Sequence, residues 1–253
     1  MNAKIIDLSV PLDSRTQDPT PPDIKYSNHD QTVERAAQLF GISPSEWPEQ
    51  RAWATETVTL TTHTGTHVDA PYHYWDKTGE NKSKTIDECP LEWFYGPGVL
   101  LNFTWKKAGE QISKEDIINE LNRIGHVLSP GEIVLIRTDC DKKIFEPGYG
   151  DIHPGASAEA TRYLIEQGIK VMGTDGYGWD VPFKVSAQMY KETGDPSVIW
   201  ESHYVGKKLE YCQIEKLANL DQLPNPTGFK VITFPIKIAG ASGGWARTVA
   251  IIE

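Results

Sequence analysis

Three of the chain's seven histidines and one aspartate fall within eleven residues, His63-Thr64-Gly65-Thr66-His67-Val68-Asp69-Ala70-Pro71-Tyr72-His73, and this segment constrains the fold more than any other. Neutral imidazole and carboxylate are ligands for Zn²⁺ and Mn²⁺. His63 and His67 have the i, i+4 spacing of a helical zinc motif. Gly65, the flanking threonines and Pro71 disfavour a helix, however, and position 64 lacks the glutamate of HExxH. Directly before it, Thr57-Val58-Thr59-Leu60-Thr61 alternates polar and apolar and reads as a half-buried strand. On an extended backbone continuing from that strand, His63, His67, Asp69 and His73 share a parity opposite to Val58 and Leu60, so all four stay off the core-facing side. Gly65 lets the chain bend so that they converge. A lone histidine is more often a structural group; three with an aspartate at this spacing point to a metal site. Surface or hydrogen-bonded structural histidines are the alternative.

Thirty-five acidic against 25 basic side chains leave a net charge of −10, which argues against nucleic acid or an anionic membrane as a partner. No apolar run approaches the ~20 residues a membrane helix needs. Residues 1–10, interrupted by Lys4 and Asp7, read as a first strand rather than a signal peptide. Cys89, Cys140 and Cys212 lie far apart in sequence without a CxxC pair, so neither a disulfide framework nor a thiolate zinc site is indicated. Gly-x-Ser-x-Gly, phosphate-loop and dinucleotide fingerprints are missing, which weakens serine-hydrolase, kinase and dehydrogenase readings. These features leave a cytoplasmic enzyme or binding protein.

Without an internal repeat or a linker-like stretch, residues 1–253 read as a single domain. Residues 11–55, rich in proline and polar groups, read as a long surface excursion with one helix near 32–40, and loops of that length are often functional. Short apolar runs at 98–103 and 132–137 suit buried strands. Between them Ser113 and Asp116 form a capping box that opens a helix. A second amphipathic helix spans 157–167 and stops at Gly168; a strand follows at 169–174. Segments 229–238 and 245–252 close the chain as strands. The fold class is mixed α/β.

HTGTHVDAPYH resembles the HxGTHxDxPxH signature of the cyclase family of metal-dependent hydrolases, whose members include bacterial kynurenine formamidases (arylformamidases) and isatin hydrolases. Ile6-Asp7-Leu8-Ser9 is similar to the family's opening. His153-Pro154-Gly155 through Gly173-Thr174-Asp175 is similar to its central segment, and Gly240–Arg247 to its ending. The resemblance implies a swivelling β/β/α-type domain. It makes His63, His67 and Asp69 metal ligands and His73 the proton-transferring catalytic histidine. It also offers His203 and Glu215 as completing a second site, with Asp69 and Glu215 bridging. One or two divalent ions per chain, Zn²⁺ or Mn²⁺, are then expected, with a homo-oligomer (a dimer or dimer of dimers) as the assembly.

The reaction so implied is hydrolysis of a small amide by metal-activated water. Cleavage of an N-formyl arylamine such as N-formylkynurenine expects a compact pocket and two metals. Opening of a cyclic amide such as isatin expects a flat aromatic slot, built in part by residues 11–55. Lactone or ester hydrolysis uses the same machinery, and a non-catalytic small-ligand binder on the same fold is the competing class. Trp53, Trp75 and Trp179 are candidates to hold a planar ring, with core packing as their alternative. Asp175 is either a pocket residue or a turn aspartate.

Overall fold

The apolar runs in the middle of the chain become parallel strands, because each can be covered on both faces. Tyr95–Asn102, Ile133–Arg137, Val171–Thr174 and Cys212–Glu215 lie side by side in that order. The other five strands run antiparallel to every neighbour they pair with. The full nine-stranded order is Lys4–Asp7, Val249–Ile252, Phe229–Ile232, Tyr95–Asn102, Ile133–Arg137, Val171–Thr174, Cys212–Glu215, His67–Asp69 and Gly243–Trp245. The computed structural model describes residues 3–252. The expected first strand is Lys4–Asp7, and Met1 and Asn2 lie outside the described residues.

Among the described residues five α-helices accompany the sheet: α1 (Val33–Phe40), α2 (Pro71–Tyr74), α3 (Lys114–Ile124), α4 (Ala158–Glu166) and α5 (Phe183–Thr193). Alternating strand residues divide the core in two. Val99, Leu101, Val134, Ile136 and Met172 pack with Ile117, Leu121, Ala160 and Leu164 of α3 and α4. Leu100, Ile133, Leu135, Val171 and Ile214 face the other way, onto Leu8, Val68, Phe229 and Ala250 of the outer strands and their flanks. The mixed α/β class is therefore what the chain adopts. Among the described residues no helix is long and apolar enough to cross a membrane.

The helix boundaries follow local chemistry. Ser113 accepts from the Asp116 amide at 3.1 Å while the Asp116 carboxylate accepts from the Ser113 amide at 2.8 Å, the reciprocal cap that opens α3. Ser157 caps α4 one way only, its hydroxyl accepting from the Ala160 amide at 3.1 Å, and Gly168 follows the helix end in the left-handed region.

Three expectations are corrected. The strand expected at 57–61 is Thr55–Thr59, paired only with Asp23–Ser27 in a hairpin off the main sheet, and Val58 is 44% exposed rather than half-buried. Alternation marks a two-faced strand, but no layer packs on this one. The segment 229–238 is a strand only to Ile232, because Pro235 removes a ladder donor. The segment 245–252 divides into Gly243–Trp245 and Val249–Ile252. Helix α5 was not foreseen: among its residues only Ser186 is buried, so it lacks the apolar stripe that marks a helix in sequence. Cys89 and Cys212, remote in sequence, meet as free thiols with their sulfurs 3.9 Å apart.

Candidate active site

The centre of the site is set by strand register. His67–Asp69 pairs with Cys212–Glu215 so that Glu215 lies opposite His67 and Gln213 opposite Asp69. Val68 and Ile214 point into one core, so His67, Asp69 and Glu215 share the opposite face. All three are buried. The approach to this strand is a turn, not the extended run that parity assumed. Gly65 has φ +65°, and a Cβ there would stand 2.8 Å from a Leu12 methyl, so both conformation and space select glycine. The Gly65 amide donates to Asp18 at 3.3 Å, and the Lys216 ammonium donates to the His63 carbonyl at 2.9 Å and to Asp18. His63 thus sits on the turn, His67 and Asp69 on the strand, and His73 on the four-residue helix α2.

All six residues expected from the sequence meet here. His63 Nδ1 lies 2.7 Å and His67 Nε2 3.2 Å from Asp69 Oδ1. His203 Nε2 lies 3.7 Å and His73 Nε2 4.0 Å from Asp69 Oδ2. Glu215 completes the ring, 3.7 Å from His67 Nε2 and 3.6 Å from His203 Nε2. His67 Nδ1–H donates to the Gly65 carbonyl at 2.8 Å, which leaves Nε2 with a free lone pair. His67 Nε2 and Asp69 Oδ2 are buried without a hydrogen-bond partner. Orphaned buried ligand atoms among imidazoles and carboxylates fit a divalent cation of the zinc or manganese type. Two groupings have ligand spacing: His67, Asp69 and Glu215, and His63, Asp69 and His73.

Burial pushes the Asp69 carboxyl up, but the imidazoles of His73, His67, His203 and His63 outweigh it and hold Asp69 well below the usual range. Burial, then the charge of Asp69, pushes Glu215 up against the opposing pull of His203, His67 and Lys216. Burial lowers His73 to about 4, with His63 and His203 adding to the effect of burial over the opposing charge of Asp69. For His203 burial acts downward, yet the hydrogen bond to Asp180 and the nearby Asp69 carboxylate prevail and raise it to about 10.

A cavity of about 300 Å³ opens onto His63, His73, His203 and Glu215, though not onto His67 or Asp69, and is walled by Tyr177, Val181, Phe183 and Trp200 and, on one side, by residues 18–20. Of the excursion 11–55 only this short stretch lines the cavity; its hairpin and α1 stand away from it. Trp179 is core, donating its indole N–H to Thr161 at 2.9 Å. Trp53 is half-exposed away from the cavity, and Trp75 lies in a shallow outer groove beside His73. Asp175 is a buried loop aspartate that accepts from the Thr138 and Asp139 amides and lies outside the cavity lining.

Sequence reasoning missed Trp200, Asp180 and Lys216. The Trp200 ring stacks on His203 with centroids 4.3 Å apart and meets His73 edge-on at 5.2 Å. Its φ of +57° is an outlier for a bulky residue. Proximity to His203 in sequence was the one available signal for it; for Asp180 there was none.

Comparison with known proteins gives the family and the fold. Kynurenine formamidase of Bacillus cereus is 28% identical over 131 residues, 51% of this chain and 55% of that one. The matched stretch is thus about half the length of these formamidases. Isatin hydrolase of Roseibium aggregatum is 25% identical over 210 residues, covering 79% of this chain and 75% of its own. The structure of isatin hydrolase A from Ralstonia solanacearum superposes with a TM-score of 0.78 at 23% identity, over 99% of this chain and 92% of that one. The family model described as Putative cyclase matches residues 6–181, which hold the 63–73 segment but not His203 or Glu215. With its His63–His73 segment inside that match and its fold shared along the whole chain, the protein belongs to the cyclase family.

Proposed function

We propose that the chain hydrolyses the C–N bond of a small amide, an N-formyl arylamine or a cyclic amide of the isatin type, with Zn²⁺ or Mn²⁺ as cofactor. What carries this is the pair of orphaned ligand atoms, His67 Nε2 and Asp69 Oδ2, buried beside an apolar cavity large enough for one aromatic ring. His63, His67 and Asp69 would hold one ion; His203 and Glu215, with Asp69 between, would hold a second. A bound divalent cation supplies a water of lowered pKa and polarises the substrate carbonyl.

The remaining steps belong to the chain's own groups. His73, held neutral at physiological pH by burial, accepts a proton from the attacking water. It returns that proton to the departing nitrogen as the C–N bond breaks and the water oxygen joins the carbonyl carbon. Trp200 and Phe183 provide flat apolar surface for the substrate ring and keep bulk water from His73 and His203. The retained His203–Glu215 pair supports capacity for two ions.

Assay of metal-replete protein with N-formylkynurenine and with isatin tests the proposal. Turnover of either, lost on chelation and restored by Zn²⁺ or Mn²⁺, is expected. Tight binding of both without turnover would make the protein a binder. Metal titration should saturate at two equivalents, falling to one in Glu215→Gln; saturation at one equivalent in both proteins would remove the second ion.

A further inference from the structure

We infer that Asp180 is the positioning residue that makes His203 a ligand, a role that rests on the metal-centre reading above. Asp180 is 7% exposed and spends both carboxylate oxygens on one short segment. Oδ1 accepts from the Ser202 amide at 2.8 Å; Oδ2 accepts from the His203 amide at 3.1 Å and from His203 Nδ1–H. With Nδ1 committed as a donor to Asp180, Nε2, which faces Asp69 and Glu215, is the nitrogen left to give up its proton and take a cation. A carboxylate behind a ligating imidazole fixes its tautomer and raises its basicity. His67 differs here, because a neutral carbonyl, that of Gly65, orients it.

Asp180 can aim a ring because its own peptide is clamped. Its carbonyl accepts from His153 Nε2–H at 3.1 Å. Gly155 packs so closely that a Cβ there would lie 2.1 Å from the Asp180 carbonyl carbon. The residue before it donates its amide, Trp179 N–H, to Glu215 Oε1 at 3.0 Å. One loop therefore holds both downstream ligands, Glu215 through a backbone amide and His203 through a side chain. His203 and Glu215 lie on separate elements, so a shared support outside both fixes their distance to Asp69.

Metal affinity, measured by competition with a chromophoric chelator on purified protein, tests this without any substrate. His203→Ala first defines the ion that depends on His203. Asp180→Asn, which removes the charge at nearly constant volume, is expected to weaken that same ion about 10–100-fold and to leave the ion held by His63, His67 and Asp69 unchanged. Asp180→Glu, which restores the charge from a displaced carboxylate, should recover part of the loss. Wild-type affinity in Asp180→Asn, or equal weakening of all bound metal, would overturn the assignment. Should Asp180→Asn not fold, Asp180→Glu decides alone: a loss confined to the His203-dependent ion supports the role, and unchanged affinity overturns it. If His203→Ala itself alters no metal affinity, the metal-centre reading fails at His203 and the role of Asp180 falls with it.

Discussion

Among the described residues two places gather acidic or imidazole groups at ligand spacing, and they differ in what those groups already do. At the centre, His67 Nε2 and Asp69 Oδ2 are buried and unpartnered. In the second place, Asp139, Asp141 and Asp175 lie just as close together, but every carboxylate is engaged. Asp175 accepts from Thr138 at 2.8 Å and Asp139 at 2.9 Å, Asp139 pairs with Arg137 at 2.7 Å, and Asp141 accepts from the Asn219 amide at 2.9 Å and lies 3.5 Å from Lys142. Proximity of carboxylates is therefore not what marks a metal site. Under the proposed metal reading, what separates the two is that the central imidazole and carboxylate keep buried lone pairs unused, each costing desolvation without a compensating bond.

Removing a ligand from the one cluster and carboxylates from the other should have opposite results. Asp69→Ala should abolish metal binding, and with it turnover, because one residue supplies both oxygens that face the imidazoles. The double variant Asp139→Asn, Asp141→Asn should keep the full metal content by elemental analysis. Metal loss in the double variant, or retention in Asp69→Ala, would invert the assignment of the two clusters.

A smaller effect separates roles within the centre. His73→Ala is expected to retain metal and to lose about 10²–10⁴-fold in kcat, the range for removal of a general acid–base group. His73 also has ligand spacing with His63 and Asp69, so metal loss equal to that of His67→Ala would make it a ligand instead.

The smallest effect concerns the acidic cluster. Burial, with Asp141 adding to it, raises Asp175 to about 7 despite its hydrogen bonds from Thr138 and Asp139. The folded protein then holds a proton that the unfolded chain releases near pH 4. The stabilisation from this group is complete below about pH 4 and is lost as pH rises through about 7. Asp175→Asn should flatten the decline of Tm between those values by an amount on the order of a few degrees. An unchanged slope would show that Asp175 is ionised throughout.

The site was half legible in sequence because its upstream half is local. His67 and Asp69 flank Val68, and two-residue periodicity alone puts them on one face once Val68 is buried. The reciprocal Ser113–Asp116 cap and the Ser157 cap were equally local. Parity failed at the 61–66 turn, since a bend resets which side faces the core, and it failed for Val58, whose hairpin has no covering layer. Trp200 carries no pattern: its place depends on a left-handed backbone and on stacking against His203.

By itself the sequence determined which atoms can bind a cation, the alternation that turns His67 and Asp69 together, and the capped helices that cover one face of the sheet. Only the tertiary structure decided that Glu215 stands opposite His67, that Asp180 backs His203, and that Asp139, Asp141 and Asp175 are spent on backbone amides and cations. The reason is physical: side-chain parity and capping are set within a few residues. Strand register and loop clamping are instead set by which distant surfaces bury one another, and no short stretch of the chain contains that information.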